Sequence, residues 1–302
     1  MAEAARRPFV IQVGHFNDEM GGVIALHRLC HLLNEGGCEA YVWPPKKPRH
    51  DTARPVRSTL QRLSYWLRGK DRRLRRAPGF ITPIAKEEHI ARGIVVYPEI
   101  VDGNPLRAER VVRWLLHKPG FHTGRAVYGP NDKFFFFQNA FNDPAINPHP
   151  DNLLKTVFIR DDIYKQTNFG PRSGTCYILR KGKDRPIVHP LENSVLVDDL
   201  SHRELAEVFN RVETCISYDT YTLLSAFAAL CGCVSVVVPE EGKTKEEWYP
   251  NERDRYGQAW GFDDVEWARR TAPLLLPHLK AQEREANDSV RVFAEKCQGY
   301  FP

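Results

Sequence analysis

Long apolar runs are missing: nowhere in the 302 residues is there a stretch near the roughly 20 apolar residues that a bilayer span needs. The opening "MAEAARRPFVIQVG" has no extended apolar region before a small-residue cleavage site. It reads as a short polar tail entering a strand, and export is not expected. Metal spacing is missing too. None of the seven cysteines shows the double spacing of a zinc site: Cys231 and Cys233 flank a single glycine, and Cys30 and Cys231 lie in apolar helical patterns. Such usage fits reduced structural thiols in a cytoplasmic protein, with no metal and no cofactor called for. The three spaced glycines of a dinucleotide fingerprint and the Gly-Lys-Ser/Thr of a P-loop are absent, as are low-complexity tracts and fixed-period repeats.

Apolar residues make up 42% of the chain, enough for a real core, and 302 residues exceed what one core comfortably takes, so two domains are expected. Charge is uneven. Residues 46–76 carry twelve Lys or Arg against two Asp, a surplus of ten in a chain of net +5, which leaves the remainder at −5. A basic segment on an acidic body points to an anionic partner at one place.

Strand, loop, helix and strand follow one another in "PFVIQVGHF" (8–16), "NDEMGG" (17–22), the periodic "GVIALHRLCHLLNEGG" and "CEAYVWP" (38–44). That order predicts a parallel sheet with right-handed crossovers. Past the basic insertion (46–78), "GFITPI" (79–84) and "GIVVYPEI" (93–100) read as strands. Asn104 and Pro105 look like the cap and first residue of a helix through "LRAERVVRWLLH", stopping at Pro119-Gly120. "KFFFFQNAF" (133–141) reads as a buried strand, and the proline-rich 142–152 as an interdomain hinge. The second half alternates again: "KTVFI" (155–159), "TCYILRKG" and "NSVLVDD" as strands, "SHRELAEVFNRV" as a helix with the capping box Ser201/Glu204, and "CISYDTYTLLSAFAALCGCVSVVVP" as strand, helix and strand. The end reads as helical, broken near Pro273 and Pro277. The expected architecture is α/β: two Rossmann-like domains facing across a cleft, over 8–145 and 152–280, with 281–302 as a helix crossing back to the first.

In open α/β sheets ligands bind where strands end and loops lead into helices. In the first half that loop is "HFNDEMGG", where Gly21 and Gly22 allow close approach and expose N–H groups at a helix start; an ordinary tight turn would look the same. In the second half it is "SYDTYT", where Tyr218, Asp219, Thr220, Tyr221 and Thr222 with Ser217 gather at the start of an apolar helix. Free N–H groups and the positive end of the dipole make an anion site there, and Asp219 can cap the helix or accept bonds from sugar hydroxyls. Arg180 and Lys181 follow a strand end, where cations suit a diphosphate. His189 can serve a phosphate or leaving group, although a lone histidine is more often structural.

"YDTYTLLSAFAALCGCVSVVVP", with "EEWYP" and "YGQAWG" after it, resembles the donor-binding half of GT-B fold nucleotide-sugar glycosyltransferases. "GNPLRAERVVRWLLHKPG" resembles a segment of bacterial glycosyltransferases that build cell-surface polysaccharides, and the likeness runs from Phe9 to about Leu279. In retaining GT-B families a Glu-x7-Glu motif begins the helix; Asp219 stands in place of its first acid and Phe227 in place of its second. The resemblance implies a nucleotide-sugar donor, a glycan or lipid-linked acceptor and metal-independent transfer. The leaving diphosphate would be stabilised by Arg180, Lys181 and the helix start. A base on the acceptor side would come from Asp18, Glu19 or Glu99, with Glu99 preferred because it ends the best-defined strand. A nucleotide-sugar epimerase and a non-catalytic nucleotide- or sugar-binding subunit are the alternatives.

The insertion places Val56, Leu60, Leu63, Leu67 and Leu74 on one helical stripe beside Trp66, with Arg72, Arg73, Arg75 and Arg76 among its cations. Such a helix suits an anionic membrane surface on the cytoplasmic side. It also suits packing of its stripe on the body, and nucleic acid is the lesser alternative.

Overall fold

The computed structural model describes residues 6–51 and 53–301, so most of the polar start lies outside them. The chain divides into two compact units, Met1–Phe158 with Glu283–Pro302, and Ile159–Gln282.

The first unit contains β1 (Phe9–Gln12), α1 (Gly21–Glu35), β2 (Ala40–Trp43), α2 (Pro55–Leu67), α3 (Glu87–Arg92), β3 (Ile94–Pro98), β4 (Val111–Leu115) and β5 (Lys133–Phe136). Its sheet has the order β2-β1-β3-β4-β5, parallel throughout. Side chains alternate across a strand, so each sheet face collects its own core. Phe9, Ile11, Ile94, Val96 and Trp114 pack with Leu26, Leu29 and Cys30 of α1 and with Phe293 and Cys297. Val10, Val95, Tyr97 and Trp43 pack with Ile90 on the other face. Both faces are covered, as parallel sheets require.

The second unit contains β6 (Thr175–Ile178), β7 (Ser194–Leu196), α4 (His202–Arg211), β8 (Thr214–Ser217), α5 (Leu223–Leu230), β9 (Val234–Val237), α6 (Lys245–Trp248) and β10 (Gln258–Trp260). Its order is β10-β9-β8-β6-β7, again all parallel. In each unit the second strand lies beside the first on one side, and the remaining three continue on the other. Cys176, Ile178 and Cys215 meet Leu205 and Phe209 of α4 and Leu224, Phe227 and Ala228 of α5. The capping box is formed: Ser201 N donates to Glu204 Oε2 at 2.9 Å. The last helix, α7 (Val265–Tyr300), begins in the second unit and ends in the first.

Several expectations are corrected. The helix expected from Asn104 is instead a turn followed by β4. Asn104 Oδ1 accepts from the Tyr97 hydroxyl at 3.0 Å and from Ala108 N at 2.9 Å, and the five residues of "VVRWL" are all buried in the sheet. No strand forms over 79–84, where Ile84 makes an isolated bridge to Val42, nor over 155–159. The segment 142–152 belongs to the first unit: Asn152 Nδ2 donates to Phe134 O and Phe136 N to Asn152 O, both at 3.0 Å. Pro273 and Pro277 lie inside an unbroken α7. Each removes one backbone bond from a 36-residue helix whose buried faces hold it in place. The basic helix does not reach Leu74. Gly69, at φ +58°, ends α2, with Gly69 N on Trp66 O at 2.8 Å. Leu74 then joins the core of the first unit.

Candidate functional site

The strand order changes sense between the first and third strands of each sheet, and the carboxyl ends of those two strands are where such sheets take their ligands. In the second unit those are β6 and β8.

The loop after β6 turns sharply. Asp198 accepts from Leu179 N (2.9 Å) and Arg180 N (2.7 Å), holding Arg180 at φ +39°, a left-handed conformation that a residue with a Cβ rarely adopts. Gly182 closes the turn against the loop after β8; a Cβ there would run into the Tyr218 carbonyl oxygen. The turn thus projects the Arg180 and Lys181 side chains outward, where both are exposed and have no side-chain partner among the described residues.

The loop after β8 is held from beneath. The Tyr218 hydroxyl accepts from Val188 N at 2.8 Å and lies 2.7 Å from His189 Nδ1; His189 Nε2 lies 3.2 Å from Ser194 Oγ. With Tyr218 donating to Nδ1, Nε2 carries the proton toward Ser194. Burial lowers the His189 pKa and so disfavours its imidazolium form. Tyr218 and His189, two of the expected donor-contacting residues, are therefore buried pegs that position the loop. Ser217 Oγ donates to Asp219 O at 2.9 Å, and Asp219 Oδ1 accepts from Tyr221 N at 3.3 Å. Asp219 thus shapes the turn, and the cap of α5 is Thr222, whose Oγ1 accepts from Leu224 N at 3.3 Å. Tyr221 is about half exposed. Phe227, eight residues after Asp219, stacks on Tyr164 with ring centroids 4.2 Å apart, which makes it core.

Sequence reasoning missed four residues here. Thr220 Oγ1 donates to Glu240 Oε1 at 2.6 Å, and Lys243 Nζ reaches Glu240 Oε2 at 2.7 Å and the Tyr221 hydroxyl at 3.3 Å. Those bonds hold the Glu240 carboxyl below its ordinary pKa. Arg185 donates to Tyr218 O at 2.8 Å and to Val238 O at 3.0 Å, tying together the loops after β8 and β9. Asp198 is the fourth. Glu240 was findable, since it follows a strand of the same sheet edge; Arg185 and Asp198 sit in loops without a local signature.

In the first unit the corresponding strands are β1 and β3. Glu99, directly after β3, is buried; its Oε2 accepts from Leu116 N at 3.0 Å and its carbonyl from the Tyr128 hydroxyl at 3.0 Å. Burial raises its pKa, opposed by backbone N–H groups and by His122. His117, beside it after β4, has its ring 4.9 Å from His122 and 4.8 Å from Phe141, an aromatic rim that sequence reasoning did not single out. Arg113 of β4, fully buried, holds the floor. Its Nε pairs with Asp132 at 2.7 Å, its other nitrogens donate to Val101 O and Gly103 O, and it lies between the Tyr97 and Tyr128 rings.

After β1, Asp18 is partly exposed, and Glu19 N donates to Asn17 Oδ1 at 3.0 Å. Gly21 and Gly22 start α1 with no side-chain cap from Met20 and no steric need for glycine. The end of the basic segment lies against this loop: Arg75 N donates to His15 Nδ1 at 3.1 Å, and Phe16 N to Arg75 O at 2.8 Å. Among the described residues, no three His, Cys, Asp or Glu gather as a metal site, and no helix is long and apolar enough to cross a membrane.

No family profile matches this sequence, and no curated protein matches it. Solved structures do show similarity. An O-GlcNAc transferase from Thermobaculum terrenum is 14% identical with a TM-score of 0.42, over 98% of this chain and 67% of that one. A T4 phage β-glucosyltransferase is 12% identical with a TM-score of 0.38, over 98% of each chain. MurG from Acinetobacter baumannii is 12% identical with a TM-score of 0.33, over 97% of this chain and 99% of that one.

Proposed function

We propose that the protein is a glycosyltransferase of GT-B type that moves a sugar from a nucleotide-sugar donor to a glycan or lipid-linked acceptor. The observation that carries this reading is the strained Arg180 turn. It sets two exposed cations beside a hydroxyl-rich loop at the start of a buried helix, at the switch point of a parallel sheet. Cations and helix N–H groups together suit a diphosphate. Tyr221, about half exposed, then offers its hydroxyl to the sugar or ribose, while the buried Asp219 and Thr220 hold the loop in place.

In the reaction the bond between the anomeric carbon and the diphosphate oxygen breaks, and the departing negative charge goes to Arg180, Lys181 and the start of α5. An acceptor hydroxyl attacks that carbon and gives its proton to a general base, the role we assign to Glu99, with Asp18 as the second candidate. Burial raises the pKa of Glu99, which strengthens it as a base that must hold a proton transiently. The resemblance of residues 103–120 to polysaccharide-building transferases supports a cell-surface glycan acceptor.

Titration calorimetry with a nucleoside diphosphate tests the donor site. Arg180→Ala and Lys181→Ala should each weaken binding by about 1.5–3 kcal/mol, because each removes a charge-assisted contact. Unchanged affinity in both would move the phosphate site elsewhere. Incubation of the parent protein with nucleotide sugars then tests the activity: slow release of free nucleotide fits a transferase, and interconversion of two donors would make the protein an epimerase.

A further inference from the structure

The helix α2 is turned inside out. Val56, Leu60, Leu63 and Leu67 fall at helical spacings of four, three and four residues, so they share one face, with Trp66 at its margin. A helix on a globular body normally buries such a face. Here the five side chains are between 49% (Leu63) and 74% (Trp66) exposed, and the one buried residue of the helix is a serine. Polar groups make the attachment. Ser58 Oγ lies 3.4 Å from His50 Nδ1 and from Asp51 O, Arg62 pairs with Glu87 at 3.1 Å, and the Tyr65 hydroxyl donates to Asp71 at 2.9 Å. Such attachment leaves the apolar stripe for something outside the chain.

Charge says what that is. Residues 54–76 carry nine Lys or Arg and a single acid, Asp71, which Lys47 neutralises at 2.6 Å. Arg57 and Arg68 flank the stripe, and the exposed Arg72, Arg73, Arg75 and Arg76 continue the positive surface up to the loop after β1, where the Arg75 backbone is bonded. A surface that is apolar along one line and cationic around it matches the boundary layer of an anionic bilayer, which offers acyl chains and negative headgroups together. Nucleic acid would satisfy the cations and leave four aliphatic side chains in water.

We infer that α2 and the arginines after it form a docking surface for an anionic membrane. The stripe and Trp66 enter the interface, and the arginines lie on the headgroups. This inference stands without the glycosyltransferase reading. Where both hold, docking brings a lipid-linked acceptor to the same unit that carries Glu99.

The test is sedimentation of the full-length protein with vesicles of phosphatidylcholine alone or mixed with phosphatidylglycerol. Binding should require the anionic lipid and fall as salt rises toward about 1 M, where charges are screened within about 3 Å. Replacing Arg72, Arg73, Arg75 and Arg76 with Gln should lower partitioning roughly a thousandfold, from the interaction of four cations with the surface. Replacing Leu60, Leu63 and Trp66 with Gln should abolish salt-resistant binding while leaving the melting temperature unchanged, because these side chains already face water. No binding to anionic vesicles overturns the inference, as does retained binding in the stripe variant or a fall in its melting temperature, which would mean that the stripe is covered. Binding of single-stranded RNA without vesicle binding overturns it in favour of nucleic acid. Self-association lost only in the stripe variant, without vesicle binding, overturns it in favour of a second copy of the chain.

Discussion

The two units wind their sheets in the same order and place opposite chemistry at the same point. Where the second sheet reverses, after β6 and β8, stand two exposed cations, a row of hydroxyls and a capped helix start. Where the first reverses, after β1 and β3, stand Asp18, Glu19 and the buried Glu99, with an uncapped helix start opening on two glycines. Topology decides where a ligand can sit, and side chains decide which. Two exposed cations suit a leaving diphosphate; a carboxyl with its pKa raised by burial suits a hydroxyl that must lose a proton. The two loops are also braced differently. A glycine fitted against a carbonyl fixes the turn after β6, and a buried arginine holds the one after β3.

The comparison breaks most sharply at Glu99. If the first crevice does the proton chemistry, Glu99→Gln should lower turnover by roughly 10²–10⁴ and leave nucleoside diphosphate affinity unchanged. The amide oxygen can still accept from Leu116 N, so the loop keeps its bond. Stability gives an independent readout. The folded protein favours the protonated carboxyl, so the contribution of Glu99 is favourable below the ordinary glutamate value and is lost as pH rises through the raised one. The Gln variant should therefore be as stable as the parent at neutral pH, or more so. The parent's kcat/KM should fall, as pH drops, at a pH above the usual carboxylate range, and this limb should vanish in the variant. Near-normal turnover in Glu99→Gln would transfer the role to Asp18.

The bracing is tested at Arg113. Arg113→Met leaves the Asp132 carboxylate buried without its cation and should cost about 3–5 kcal/mol in urea denaturation of the first unit. If the units carry separate chemistry, nucleoside diphosphate affinity in the folded variant should match the parent. A fall in that affinity would mean that the donor site depends on the first unit, and the division of roles would fail.

Much of this arrangement was legible because it is local. The capping box of α4, the strand and helix around "SYDTYT" and the alternation of β1, α1 and β2 each carry their own signal in a short window. The strand β4 did not, since a wholly buried strand and a buried helix present the same apolar residues, and Arg113 within "VVRWL" reads as the polar side of a helix. Its reason for burial lies in Asp132 and the carbonyls of Val101 and Gly103, which only the fold brings near. The reach of α2 was overestimated for another reason. Leu74 continues the heptad-like spacing in sequence, but Gly69 had already announced the stop. At the site, residue types pointed to the correct loops yet not to the duties within them. Tyr218 and His189 look like ligand contacts until their mutual hydrogen bond shows them facing inward, and Arg185 acquires its role only where three carbonyls converge.

The smallest expected effect concerns the two helix starts. Thr222 caps α5 with its side chain, whereas Met20 gives α1 no side-chain cap. Thr222→Ala should destabilise the protein by about 1 kcal/mol, the usual cost of losing such a cap, and Met20→Ser should stabilise it by a similar or smaller amount. The informative measurement repeats the Thr222→Ala denaturation with saturating nucleoside diphosphate. A phosphate at the start of α5 would accept from the N–H groups that the threonine leaves unsatisfied, so the penalty should shrink when ligand is bound. If the diphosphate binds elsewhere, parent and variant gain equally from it and the penalty stays at its ligand-free size, because linkage rewards only ligands that distinguish the two. A penalty unchanged by ligand would thus leave Arg180 and Lys181 as exposed cations without a phosphate, and the contrast between the two crevices would lose its chemical meaning.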